Sequence, residues 1–252
     1  MDIRNGYLHI KDGGTVSASP VIGSGANSSG EVVVSGEGAV FDCGYLYICT
    51  ASTEWYAGST GMLHVADGGY AAIRFVRMQT NAVIRLEQGD IDFLYGGYNN
   101  RSTLHGGRIE GVGTIAHTSA SEGWLENLGG VIAPGLPVGT LTVVNMNHLV
   151  NGAGGTIAFQ LAGDEVDTYG CLALNNSTLE LEGGTLRIAL ADGYRPERRT
   201  TYQLFDVSAN GNITGSFDTV EVPHYGEWLL DDLYVNGTVT VLSSAATQVI
   251  LR

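Results

Sequence analysis

Asp90 and Asp92, in the stretch GDIDF, stand two residues apart, so an extended strand turns both carboxylates to one side. A pair placed that way can perform acid–base chemistry or share a hard cation. A solvent-facing strand of alternating polarity has the same spacing, and that reading is preferred. Asp164, Glu165 and Asp167, in AGDEVDTYG, gather three acids in one segment and make calcium the one cofactor the sequence admits. HGGRIEG sets a base, a cation and an acid close together: His105, Arg108 and Glu110. Asp231 and Asp232 lie beside Trp228 and Tyr234, which suits either a sugar platform or a terminal cap with a tucked-in aromatic. There is no GxSxG, Ser-His-Asp order, HExxH or P-loop. The sequence therefore assigns no catalytic residue.

Tyr45, Tyr47, Trp55, Tyr56, Tyr70, Tyr95 and Tyr98 make the first half aromatic-rich. Exposed, they would form a glycan- or partner-binding face; buried, they would stack in a core, which is the reading preferred. Asn27, Asn100, Asn175, Asn176, Asn212 and Asn236 begin Asn-x-Ser/Thr sequons, candidates for glycosylation in an exported protein. Asn and Thr also suit the turns and ladders of a repetitive β fold. Cys43 and Cys49 are close enough in sequence to bridge across one turn after export, which leaves Cys171 buried or free to link chains.

The elements that carry these residues are short and punctuated by glycine. The chain has 252 residues, 37 of them Gly and 44% apolar, with only 15% charged. Runs such as EVVV, MLHV, AAIRFV, AVIRLE, TIAFQL and TVTVL have β-branched or aromatic character and end at Gly, Asn, Asp or Ser. No window sustains helical spacing. A Gly-Gly pair followed by one residue and then an apolar one recurs at DGGTV (12–16), DGGYA (67–71), HGGRI (105–109), LGGVI (128–132), AGGTI (153–157) and EGGTL (182–186). Repetition on that scale describes stacked units that cannot bury an apolar face alone. One continuous solenoid is expected: irregular over 1–104, regular over 105–242, with 243–252 as a tail strand or linker.

The stretch from GVGTIAHTSASEGWLENLGGVIAPGLPVGTLTVV through NGAGGTIAFQLAGDEVD to LEGGTLRIALADGYRP resembles the passenger-type β-helix of bacterial autotransporters. It is also similar to the strand repeats of PEP-CTERM-sorted surface proteins. The likeness covers roughly residues 111 to 242, with weaker copies earlier; Leu136 and Val138 depart from the small or proline residues usual there. The resemblance implies an all-β chain, a right-handed parallel β-helix of pectin-lyase-like type with a C-terminal strand cap, secreted to the surface of a bacterial cell. It carries over no catalytic position. HGGRIEG separately resembles His and Arg motifs of pectin-degrading hydrolases, without the second carboxylate pair those motifs use.

With 26 acidic against 12 basic residues and a formal charge of −14, a nucleic-acid partner is excluded as an expectation, as is any membrane span, since no apolar run approaches the ~20 residues needed. MDIRNGYLHI has no signal-peptide pattern, so a fragment of a precursor or a mature form is expected. The expected function is a non-enzymatic extracellular structural or adhesive element. Its expected partners are glycans, cell-surface components or further copies of itself, joined through the apolar tail TQVILR. A polysaccharide-active enzyme, centred on Asp90, Asp92 and the His105–Glu110 stretch, is the competing expectation.

Overall fold

A computed structural model describes residues 1–50, 56–94, 101–118 and 123–243. These residues form strands and turns without a helix, so none is long and apolar enough to cross a membrane. The main sheet has 22 strands, all of whose pairings are parallel, and the chain winds through it as a parallel β-helix with three faces. The first turn shows the order. Asp2–Ile3 lies on the first face, Asn5–Lys11 on the second and Thr15–Ala18 on the third; the next turn lays Val21–Ile22, Ser29–Ser35 and the start of Val40–Ile48 upon them.

The core follows from register. On the second face Leu8, Val32, Leu63, Ile84, Ile109, Ile132, Ile157, Leu186 and Val220 pair one above another. Each rung offers this column one inward apolar residue, and stacking removes that surface from water at about 25 cal/mol per Å². The column crosses the boundary between irregular and regular repeats without a break. Both halves belong to the same solenoid.

The Gly-Gly pairs fall into two geometric sets. Gly13–Gly14 and Gly68–Gly69 turn the chain from second face to third, whereas the pairs at 106, 129, 154 and 183 turn it from first to second. Gly107 has φ +77°, and a Cβ there would collide with the carbonyl oxygens of Ala82 and Gln79 in the rung below. Asn127 and Asn151 brace the latter corners from inside. Both are fully buried. Asn127 Nδ2 donates to Asn151 Oδ1 at 2.9 Å, and Asn127 Oδ1 accepts from the Gly130 amide at 2.9 Å.

After Leu190 the chain alternates between a last turn of the repeat, Phe205–Asp206, Asn212–Ser216 and Thr219–Glu221, and the strands that build the expected cap. Thr201–Gln203, Thr238–Ser243 and Glu227–Leu229 form an antiparallel three-stranded sheet. Buried Tyr202, Val239 and Val241, with Trp228 and Tyr234 packed on the core, close the end of the apolar column. Trp228 Nε1 donates to the Pro223 carbonyl at 3.2 Å. The cap reading of Trp228 and Tyr234 therefore replaces the sugar-platform reading.

The expected Cys43–Cys49 bridge is not formed; all three cysteines are free. Cys43 points inward from Val40–Ile48, and the corner that follows puts Leu46 and Ile48 inside before Cys49 is reached. Nearly a whole extended strand separates the two residues, well beyond the ~7 Å Cα limit for a disulfide. What reads as one tight turn is a strand that continues onto the next face. Burial pushes the Cys43 thiol up to about 12.

Candidate functional site

Each face presents one group of chemistry-bearing side chains, and each group is built by residues from successive rungs. On the third face Asp90 and Asp92 do project together from Ala82–Phe93. Tyr70, one rung earlier, donates its hydroxyl to Asp92 Oδ2 at 2.8 Å. Asp42 stands two rungs from Asp92, with Ala72 between them, a separation of about 10 Å in the sheet. Burial first, and then the bond and charge of Asp92 with Asp90 and Asp42 nearby, raise the Tyr70 phenol to about 12.

The first face carries a stack that sequence reading missed. Trp124 and His148 are register partners with ring centroids 4.1 Å apart and planes 25° from parallel. The Arg101 guanidinium covers the other side of the indole, 3.9 Å from its centre. Trp124 Nε1 donates to Glu126 Oε1 at 3.0 Å, Arg101 pairs with the same carboxylate, and His148 Nδ1 lies 2.9 Å from Glu180 Oε1. Both faces of the indole are thus taken, which leaves neither for a sugar ring. Nearer the start of the solenoid, Tyr45 packs on Phe75 at 4.7 Å and Tyr47 meets it edge-on. Of the other expected aromatics, Trp55, Tyr95 and Tyr98 lie outside the described residues, while Tyr56 is half-buried at a turn.

The second face holds a recess of about 620 Å³. Its floor is Ala133 and Ala158; Arg85, Glu87, Arg108 and Glu110 stand at one end and Arg187 at the other. The segment Pro134–Pro137 walls one side. This loop occupies a corner of the repeat, as its prolines and glycines suggest, and Leu136 also overhangs a second recess lined by Asp67, Glu87 and Gln88. Arg85 donates to Glu110 Oε1 through Nη2 at 2.6 Å and Nε at 2.9 Å, while Arg108 Nε donates to Oε2. Burial acts to raise the Glu110 pKa, but the hydrogen bonds and charges of the two guanidiniums outweigh it and hold the carboxyl below its ordinary value. Arg187 Nε donates to Glu221 Oε2 at 2.6 Å. Of the trio expected from HGGRIEG, Arg108 and Glu110 come together here, whereas His105 sits exposed at the preceding corner.

Asp164, Glu165 and Asp167 do not converge on a cation site. Asp164 Oδ1 accepts from Tyr202 Oη at 2.8 Å and from Tyr194 Oη, and so ties the loop to the cap. Glu165 enters a turn through its backbone carbonyl, which accepts from Thr168. Among the described residues no three His, Cys, Asp or Glu side chains are grouped to hold a metal. Asn27, Asn175, Asn176, Asn212 and Asn236 are all exposed; Asn100 and the segment TQVILR lie outside the described residues.

Compared with family models, curated proteins and solved structures, the chain matches none.

Proposed function

We propose that this chain is a non-catalytic structural or adhesive segment of an extracellular surface protein, in which the solenoid acts as a stiff spacer. One observation carries the reading. The ionisable and aromatic groups found on the three faces are engaged with one another: across rungs, Glu110 with Arg85, Trp124 with Arg101 and His148, and Asp92 with Tyr70; along one strand, Glu110 with Arg108; and between loop and cap, Asp164 with Tyr194 and Tyr202. A general acid or base must reach a substrate proton, yet these groups hold one another instead. The autotransporter-like motifs and the five exposed sequon asparagines support an exported protein. The test is incubation of the purified chain with acidic and neutral polysaccharides, followed by measurement of new reducing ends and of unsaturated products. The expected result is no turnover; clear cleavage of any one polymer overturns the reading.

A further inference from the structure

We infer that two copies of this chain join at the open end of the solenoid, their first-rung strands Asn5–Lys11 pairing antiparallel about a two-fold axis. The inference needs only the fold, and it stands or falls independently of the spacer reading.

The two ends of the solenoid differ. At one, the cap sheet closes the apolar column with Tyr202, Val239 and Val241. At the other, Asp2–Ile3, Asn5–Lys11 and Thr15–Ala18 each pair on one side only among the described residues. Leu8 and Val16 are half-buried there, whereas Val32 and Phe41, their register partners in the next rung, are fully buried. Met1 and Tyr7 are 54% and 59% exposed, beside a recess of about 440 Å³ that Ile3 and Leu8 also line. An unpaired edge recruits a further strand unless a proline, a bulge or an inward charge blocks it. Asn5–Lys11 has none of these. Its seven residues run in unbroken register with Ser29–Ser35, and its one fixed charge, Lys11, stands at the end.

Symmetry and charge select a second copy as the occupant. A head-to-tail stack would set the open column against the capped one, whereas a two-fold lets the open edge meet itself. With the axis through Leu8, Tyr7 faces His9 of the second copy, Gly6 faces its Ile10 and Asn5 its Lys11. The alternation is kept: Leu8 and Ile10 stay inside, Tyr7 and His9 outside. Arg4 then stands beside Asp12 of the second copy at both ends of the pair. Both residues are exposed, and among the described residues neither enters an ion pair. No like charges stand opposite each other along this pairing, an arrangement that would destabilise it. Because the axis passes through the second face, the first face of each copy meets the third face of the other, and each open edge faces another open edge.

The experiment is sedimentation velocity of the whole chain from about 1 to 100 µM, for the wild type, Arg4→Asp, Asp12→Lys and an equimolar mixture of the two variants. Circular dichroism checks the fold of each. The wild type is expected to pass from monomer to dimer over this range. Each variant sets like charges together twice and should dimerise about tenfold more weakly. The mixture restores opposite charges at both ends and should dimerise as the wild type does. Asp12 has φ +53°, so Asp12→Asn, which keeps that conformation, is measured beside Asp12→Lys and should weaken dimerisation less. A monomer throughout, growth beyond the dimer, dimers indifferent to the substitutions, or a mixture no better than its components overturns the inference. Polysaccharide turnover is a separate readout, so the failure of either proposal leaves the other standing.

Discussion

Arg85 and Glu110 lie 25 residues apart in the chain and one rung apart in the solenoid, where a guanidinium nitrogen and a carboxylate oxygen meet at 2.6 Å. Arg108 completes the clamp from Glu110's own strand. The carboxyl is buried, and its folded pKa is depressed. Its contribution to stability is therefore present above the unfolded carboxylate value, near 4.5, and is lost as pH falls through the lower folded value. Glu110→Gln should cost about 1–2 kcal/mol at neutral pH, discounted for the partly exposed arginines. Urea unfolding across the acid range should show that difference shrinking as the wild type protonates. A pH-independent gap would contradict the linkage.

Tyr70 reports on the acidic third face from the other end of the scale. Its folded pKa, about 12, exceeds the ordinary value of 10, so its stabilising contribution is intact below 10 and is lost as pH rises towards 12. Asp92→Asn removes a charge and changes the hydrogen-bond partner. Ultraviolet titration should then show one phenol ionising earlier, with Tyr70→Phe identifying which; an unchanged titration curve would remove Asp92 as a cause.

Trp124 should anchor the first face. Trp124→Ala loses the Arg101 cation–π contact and the His148 stack, together about 2 kcal/mol. Trp124→Phe keeps a ring between the same neighbours but loses the bond to Glu126, and should fall between the two. Denaturant midpoints check the order. Equal stability of all three proteins would show that the stack contributes nothing.

Asn127 makes the sharpest prediction about the interior. Its replacement by Ala strands the Gly130 amide and the Asn151 side-chain oxygen, and removes the 3.2 Å bond from Asn127 Nδ2 to the Thr156 carbonyl. Buried groups left without partners predict a loss of about 2–4 kcal/mol. Urea unfolding of Asn127→Ala reads that loss, and a change under 1 kcal/mol would mean the corner is held by backbone alone.

The architecture was legible because its signals are local. Each rung needs an apolar residue inside and a backbone free to turn, so Leu8, Val32 or Ile157 and the Gly-Gly pairs announce themselves within a few residues. The surface groups were not legible, because their partners depend on rung length, and rung length varies. Val32 and Leu63 are 31 residues apart, while Leu63 and Ile84 are 21 apart, yet each pair is in register. Asp90 with Asp92 could be read from alternation alone; Tyr70 with Asp92 needed the register, and Asp164 with Tyr202 needed the cap folded against its loop. Cys43 and Cys49 failed for the reverse reason. Proximity in sequence suggests a turn, whereas the strand runs on through Ile48 onto the next face.

The central claim is that charged side chains on these faces serve one another across rungs. A double-mutant cycle on Arg85 and Glu110, with Arg85→Ala, Glu110→Ala and both together followed by urea unfolding, tests it most directly. A coupling energy of about 1 kcal/mol or more, reduced at high salt, is the predicted result. Strict additivity of the two substitutions would contradict it.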